Sequence, residues 1–407
     1  MTALIQDRPG ARLHALDALR AGALMLGVTF HASLSFLPGP QIWVVRDVPS
    51  EAVATFGFVA HLFRMTLFFV IAGYFGRLLV ERRGTAGFVR NRATRILAPL
   101  LAFWPLVTAG LVACFVWGSA AMNGGVLPTN APPPPPITLA SFPLTHLWFL
   151  YVLLIFYAAA LAVRGLAGAV DRSRRAGGAI DAAMRALMAS PIAPAVLAAP
   201  LAIALAAQPI WFGWGGIPTP DTGFVPNAAA LAGYGTAFAF GWMMQRQAVL
   251  LDLMKRWWPI HLAAAGALTL ACLVLLGATS PVVKMAGGTH QTVYALCYAL
   301  AVWSWTFGLI GAALRFLTRE RPAVRYLADA SYWIYIVHLP VVMAMQVLVF
   351  ALPLPALVKW MLVVAASSLI LIASYHLLVR HSWIGAWLNG RRLPWRRPAA
   401  ALEMQTA

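Results

Sequence analysis

Apolar runs of about twenty residues recur along nearly the whole chain, and a run of that length is what a membrane-crossing helix needs. Of the 407 residues, 61% are apolar and only 10% are charged, whereas about a quarter of the residues in a soluble domain are charged. We therefore predict an all-α, polytopic integral membrane protein with about ten transmembrane helices. The predicted spans are 16–37, 54–76, 96–118, 146–163, 191–208, 227–244, 258–277, 291–313, 330–350 and 356–379.

The basic residues lie in alternate connections between these spans. Together with Arg20, the basic connections hold 26 of the 30 lysines and arginines. They are the N-terminus, 77–95, 164–185, 246–256, 315–325 and the tail from Arg380. Because cytoplasmic connections carry such an excess, the alternation predicts that both termini are cytoplasmic and that the number of spans is even. The uncharged loop at Pro132–Pro136 is then an extended periplasmic segment.

The net charge of +18 would suggest a nucleic-acid partner in a soluble protein. Here the arginines fall between apolar spans, and the sequence has no basic helix interleaved with aromatics and no zinc-type or P-loop spacing. We therefore expect no nucleic acid, no metal and no bound cofactor. We divide the chain into a membrane domain, 1–390, and a basic cytoplasmic tail, 391–407. The segment 172–185 indicates a cytoplasmic linker with a short amphipathic helix.

The first span carries Asp17, Arg20 and His31, and an ionisable residue inside a span is costly enough to suggest a function. His31 follows Arg20 by eleven positions, which places both on one helix face about 16 Å apart along the axis. Asp17 lies three residues before Arg20 and can pair with it. A cation near the cytoplasm can hold an anionic donor, and a deeper imidazole can act as a general base. The alternatives are an Arg20 that extends to the surface and a His31 that bonds a neighbouring helix.

The second span contains His61 and Arg64, three residues apart and therefore neighbours on its surface. Counted from the periplasmic end, they lie at a depth close to that of His31. A buried cation at this point needs an anionic or carbonyl partner, such as a developing oxyanion. The alternative is that these residues pair with one another in a purely structural role, which explains them less specifically.

The ninth span carries His338 just before Pro340. A proline inside a helix frees a backbone carbonyl and can kink the helix, and His338 then lines an internal cavity or packs as a satisfied core residue. His146 begins a span beside Trp148, and this neighbour favours a role in the aromatic belt at the membrane surface.

Arg92 and Arg95 lie on one side of a helical start at the predicted cytoplasmic face. Paired guanidinium groups suit phosphate oxygens, such as those of coenzyme A. The alternative is a topology signal, which Arg82 and Arg83 already provide.

Several phrases follow one another in a characteristic order. They are LDALR with His31 after it, FRMTLFFVIAGYF, RATRILAP, HLWFLYVLLIFY, ASYWIYIVHLP and YHLLVRHSWIGAWLNG. Taken together, from Leu16 to Gly390, they resemble the acyltransferase 3 family of membrane acyltransferases. Within that family, the likeness is strongest to members that act in glucan biosynthesis.

The resemblance implies an acyl-CoA donor on the cytoplasmic side and a sugar hydroxyl outside the cytoplasm as acceptor. Succinyl-CoA or acetyl-CoA would be the co-substrate, and a periplasmic glucan or related glycan the acceptor. Arg20 and His31 match the arginine and histidine of the family's first span, and Arg92 and Arg95 match its paired arginines. Other glucan-biosynthesis proteins are implied as partners, beside the lipid bilayer.

Two positions depart from the family's pattern. Leu339 stands where a second histidine or a polar residue usually precedes the proline, which argues against a two-residue polar role around His338. Ala72 replaces the serine common in the FFxxSGY phrase, so we expect no catalytic hydroxyl there.

We therefore expect a multi-pass O-acyltransferase of a bacterial inner membrane. His31 would take the proton of the attacking hydroxyl, and buried cations would stabilise the tetrahedral oxyanion. His61, Arg64 and His338 are candidates for the oxyanion or acceptor site. The alternative is a transporter or flippase for a glycan or an acylated intermediate, with the same polar residues along its pathway. The lack of an apparent inverted repeat disfavours that alternative.

Overall fold

The computed structural model describes residues 9–40, 43–129, 136–171, 173 and 175–390, and these form α-helices joined by loops, with no β-strand among them. The helices are α1 (Pro9–Ser33), α2 (Glu51–Arg92), α3 (Ala98–Met122), α4 (Trp148–Val170), α5 (Arg175–Ala189), α6 (Ala193–Ala206), α7 (Ala228–Met244), α8 (Val249–Leu276), α9 (Gly288–Phe316), α10 (Pro322–Val349), α11 (Ala356–Ser374) and α12 (Trp383–Asn389). The predicted tail, 391–407, and all but the last residue of Pro132–Pro136 lie outside the described residues.

Each of the ten predicted spans coincides with a helix, so the all-α prediction is confirmed. Six helical segments among the described residues are long and apolar enough to cross a membrane, and a seventh exists if α5 and α6, which meet at 106°, form one broken span. The structure thus supports a multi-pass membrane protein. The count of about ten crossings and the cytoplasmic termini stay predictions, because α6 and α7 have only 14 and 17 residues.

The described connections gather in two layers, one at each end of the helices. In the first layer, Arg164 of α4 forms an ion pair with Glu81 of α2. Arg246, just after α7, forms an ion pair with Asp181 of α5. The end of α12 contacts α10 near its start. In the second layer, the segments 34–50, 136–147, 207–227 and 277–287 contact one another and the start of α11. We call these the arginine-rich and the arginine-poor layer.

Helix α2 is held by a close crossing with α7. A Cβ atom at Gly73 would collide with the carbonyl oxygen of Phe238, and one at Gly241 would collide with that of Val70. Glycine at both positions lets the two backbones touch, as small residues do between membrane helices. This crossing fixes the helix that carries His61 and Arg64.

The far end of α2 turns back in the arginine-rich layer. With 42 residues, α2 is longer than a bilayer is thick, and its course breaks at Gly84, where φ is +69°. Glycine adopts this left-handed conformation without strain. The chain then passes through a π-helical turn, Ala93–Leu97, into α3, so that Arg92 and Arg95 lie where the chain re-enters the helix bundle.

The predicted amphipathic helix in the linker is α5. It carries Met184 and Met188 on its buried side, and Arg185 donates to the side chain of Gln247 on the exposed side. This short helix therefore lies along the arginine-rich layer against the start of α8.

Candidate active site

One large cavity, of about 1300 Å³, runs between the two loop layers. At the arginine-rich layer it is lined by Arg20, Arg92 and Arg95, and in the interior by His31, His61, Arg64, His146 and His338. At the arginine-poor layer its wall includes Ser141, Phe212, Thr219 and Asp221. We call the first three residues the arginine end and the five interior residues the inner cluster.

The inner cluster is assembled around Phe30 of α1. The ring of Phe30 stacks on His61 of α2 at 4.4 Å between centroids and lies 5.0 Å from the ring of His31. The His31 ring is in turn 5.1 Å from that of His338 on α10. Helices α1, α2 and α10 thus bring their polar residues to one point.

Arg64 is a buried cation of this cluster, with 5% of its surface exposed. Its guanidinium lies 4.7 Å from the centre of the Phe30 ring, and Nη1 donates to the carbonyl oxygen of Leu26 at 3.4 Å. No carboxylate of the described residues pairs with it. A cation placed in this way favours an anion or a developing negative charge inside the cavity.

Backbone carbonyls hold the imidazoles of His61, His146 and His338. Nε2 of His61 lies 3.1 Å from the oxygen of Gly215, Nε2 of His146 lies 3.0 Å from that of Ile336, and Nδ1 of His338 lies 2.8 Å from that of Tyr335. A carbonyl oxygen only accepts, so each of these nitrogens carries the proton. The second nitrogen, Nδ1, of His61 and of His146 is buried and has no hydrogen-bond partner among the described residues.

His31 differs from the other three histidines. Its Nδ1 is buried, and no described residue forms a hydrogen bond with it. Among the hydrogen bonds of the described residues, His31 takes part through its backbone carbonyl and not through its ring.

His146 belongs to the inner cluster, and its predicted place in an aromatic belt at the membrane surface is wrong. Its ring lies 5.0 Å from that of His338. Pro340 has no N–H to donate to Ile336, four residues earlier, and His146 donates to that freed carbonyl instead. Thr145, just before it, has a φ of +54°, a strained value for a β-branched residue and one that tends to occur at functional sites.

The arginine end is more open. Arg20 forms an ion pair with Asp17 at 3.2 Å, as predicted, and also donates to the carbonyl oxygen of Ala328 at 3.2 Å. The guanidinium of Arg92 lies over the rings of Phe88 and Tyr157, at 5.2 and 4.9 Å. No ion pair fixes Arg92 within the described part of the chain, so its charge is available to a ligand.

Arg95 lies beside Arg92 along the same wall of the cavity. Its guanidinium packs on Gly390, where a Cβ atom would collide with it, and the hydroxyl of Tyr332 donates to its backbone carbonyl. The end of α12 thus helps to place Arg95. The structure brings together all seven residues that the sequence selects, in two groups along one cavity.

No group of three or more His, Cys, Asp or Glu side chains among the described residues is arranged to hold a metal ion. Cys272 is buried, while Cys114 and Cys297 are partly buried, and all three are free thiols.

Comparisons with known proteins show which family the chain is similar to. Residues 13–379 match the acyltransferase domain of the acyltransferase 3 family. Two similar relatives are the proteins named glucans biosynthesis protein C from Escherichia coli O1:K1 / APEC and from Escherichia coli O157:H7 (strain EC4115 / EHEC). Each is 34% identical over 150 residues, which is 36% of this chain and 37% of the relative. No solved structure matches the chain.

The two kinds of match differ in extent. The aligned segment spans little more than a third of the relatives' length, whereas the family match covers nearly the whole described membrane domain. Both agree with the family and the relative that the sequence motifs indicated. The chain therefore belongs to the acyltransferase 3 family.

Proposed function

We propose that the protein transfers an acyl group from acyl-CoA, on the cytoplasmic side, to a hydroxyl group of a periplasmic glucan or related glycan. The observation that carries this proposal is the single cavity that joins the arginine end to the inner cluster. One end offers three arginines, of which Arg92 and Arg95 form no ion pair with a described residue, and the interior offers imidazoles and a buried cation. Acyl-CoA has phosphates at one end and a reactive carbonyl at the other, so it suits both the arginine end and the inner cluster.

The donor would lie along α1. Arg92 and Arg95 would bind the phosphates of coenzyme A, and Arg20 would add a third cation. The rise of an α-helix places Arg20 and His31 about 16 Å apart. A phosphate group held at the arginine end can therefore sit well away from the thioester, which would reach the inner cluster.

The reaction follows from the groups at the inner cluster. His31 takes the proton of the acceptor hydroxyl as its oxygen attacks the thioester carbonyl. Arg64 stabilises the tetrahedral oxyanion that forms. As the intermediate collapses, the new C–O bond remains, the C–S bond breaks, and the coenzyme A thiolate takes the proton from His31. Nε2 of His338 accepts a hydrogen bond from the acceptor sugar, and His61 lines the cavity beside it.

The substrates are proposed from the relatives and from the chemistry of the cavity. The relatives' name refers to glucan biosynthesis, so a glucan hydroxyl is the proposed acceptor and succinyl or acetyl the proposed acyl group. The proposed location is a bacterial inner membrane, with both termini in the cytoplasm. Other glucan-biosynthesis proteins are the proposed partners, since they would supply the acceptor.

A transporter or flippase for a glycan or acylated intermediate is the second candidate. The feature in its favour is that the cavity is lined by residues of both loop layers, as a transport pathway would be. Such a protein would move its substrate without breaking the thioester.

Purified protein in detergent, given acyl-CoA and a linear glucan, separates the two candidates. We expect free coenzyme A thiol to appear together with acylated glucan, measured by thiol titration and by mass spectrometry. Tight binding of substrate with neither product would contradict the transferase and support the transporter.

The proposed sidedness has its own test. Single cysteines replace Thr129, before the proline segment, or Ser173, between α4 and α5, in a variant without its three natural cysteines. We expect Thr129→Cys to react with an impermeant maleimide in whole cells and Ser173→Cys to react only after lysis. Labelling of Ser173→Cys in intact cells would overturn the orientation.

A further inference from the structure

We propose that Gln346, together with Trp43, is a positioning residue for His31. The inference rests on the proposed function, in which His31 is the general base. It concerns two residues that neither the family motifs nor the sequence analysis singled out. Gln346 forms a hydrogen bond with the backbone of His31, and Trp43 forms one with Gln346.

Gln346 lies on α10, eight residues after His338, and only 2% of its surface is exposed. Its Nε2 donates to the carbonyl oxygen of His31 at 2.9 Å and to that of Ala32 at 3.3 Å. Its Oε1 accepts from Nε1 of Trp43 at 2.8 Å. Both ends of the buried amide are therefore used, one on the backbone of His31 and one on Trp43.

The contacts matter because His31 lies in the last turn of α1, which ends at Ser33. The last carbonyls of a helix have no donor within the helix and need one from elsewhere. The side-chain amide of Gln346 donates a hydrogen bond to two of these carbonyl oxygens. Since no described residue forms a hydrogen bond with Nδ1 of the His31 ring, the position of that ring depends on its backbone and on packing.

Trp43 completes the arrangement from the other side. Its indole ring lies 6.5 Å from the His31 ring, centroid to centroid. Trp43 belongs to the segment 43–50, which is fastened by a buried ion pair between Asp47 and Lys359 at 2.8 Å. His31 is thus held between the rings of Phe30, His338 and Trp43, and Gln346 links that packing to the helix end.

The chain contains a matched control. Gln291 on α9 is also buried, with 4% exposed, and its Nε2 donates to the carbonyl oxygens of Leu205, Ala206 and Gln208 at the end of α6. It completes a helix end by the same chemistry as Gln346 but does not touch the inner cluster. Loss of either amide should lower stability similarly, and only loss of Gln346 should disturb His31.

The experiment compares Gln346→Leu, Trp43→Phe and Gln291→Leu as purified full-length proteins. A displacement of a reacting group by about 1 Å can cost a hundredfold in rate, so we expect kcat to fall roughly tenfold to a hundredfold in Gln346→Leu. Its KM for acyl-CoA should stay within about twofold, since donor binding occurs elsewhere. Trp43→Phe should show the same pattern to a smaller extent, and Gln291→Leu should lose thermal stability while keeping kcat.

A second readout does not depend on turnover. The rate at which diethyl pyrocarbonate modifies His31, followed by mass spectrometry, should change in Gln346→Leu and Trp43→Phe and stay at the wild-type value in Gln291→Leu. Wild-type kcat and unchanged His31 reactivity in folded Gln346→Leu would overturn the positioning role, as would an equal loss of kcat in Gln291→Leu. Absence of transfer by the wild type would instead overturn the proposed function, while the modification rates still decide the positioning.

Discussion

The two ends of the cavity are built in different ways. In the inner cluster, Arg64 is buried, and three of the four imidazoles are fixed by backbone carbonyls, those of His61 and His146 by carbonyls of other segments and that of His338 by one of its own helix. At the arginine end, the side chains of Arg20 and Asp17 are more than a third exposed, and Arg92 rests on aromatic faces. Groups that take part in a reaction need a fixed geometry, whereas groups that anchor a remote phosphate need mainly charge.

Because the two ends differ in this way, mutations at each end should change different kinetic constants. Contacts to a remote part of a substrate are nearly equal in the ground state and the transition state, so their loss raises KM. Contacts that strengthen only in the transition state act on kcat. Variants of the two ends should therefore fall into two kinetic classes.

The largest effect should come from the inner cluster. Removal of a general base costs about 10² to 10⁴ in rate, so His31→Ala should lower kcat to that extent with little change in the KM for acyl-CoA. His261→Ala is the matched control, because His261 is also buried in a membrane helix and packs on Phe307 away from the cavity. Equal loss of kcat in both variants would remove the special role of His31.

The next effect should come from Arg64. Loss of one oxyanion-stabilising group costs about 10² to 10³ in kcat, and Arg64→Met keeps much of the side chain's volume while removing the charge. Arg77→Met removes an arginine from the same helix that is paired with Glu81 instead. If Arg64→Met raised KM and left kcat unchanged, Arg64 would belong to donor binding, and the contrast between the two ends would fail.

A smaller effect is expected from the arginine end. Each charge-assisted contact is worth about 1.5–3 kcal/mol, so Arg92→Ala or Arg95→Ala should raise the KM for acyl-CoA roughly tenfold to a hundredfold. The control variant Arg82→Ala/Arg90→Ala removes two exposed arginines of α2 that do not line the cavity. It should leave the KM for acyl-CoA unchanged. An equal rise in KM in that control would reduce the effect to general surface charge.

The smallest effect is that of salt. Ions screen exposed charges more than buried ones, so added salt should raise the wild-type KM for acyl-CoA. The rise should be smaller in the Arg92→Ala/Arg95→Ala variant, because fewer exposed cations remain to be screened. A salt dependence that is the same in both proteins would place the phosphate site elsewhere.

Much of the fold follows from the sequence because apolar length determines it. Each predicted span is a helix, and the shared face of Arg20 and His31 follows from helical geometry alone. That His61 and Arg64 lie near His31 could be predicted by counting from the span boundaries. These features depend on local spacing, which a sequence displays directly.

His146 and Gln346 could not be placed in this way. Their roles come from contacts with Ile336 and His31, which lie 190 and 315 positions away along the chain. The one available signal was Pro340, because a proline inside a helix leaves a carbonyl four residues earlier in need of a donor. Which side chain meets that need depends on the packing of α4 against α10, and no local pattern records it.

Calorimetric titration of acyl-CoA into wild type, His31→Ala and Arg92→Ala/Arg95→Ala tests most directly whether one donor spans both ends of the cavity. We predict that wild type and His31→Ala bind acyl-CoA with similar affinity and that the double arginine variant binds it at least about tenfold more weakly. Equal affinity in all three proteins would contradict the account, because the arginine end would then have no part in holding the donor.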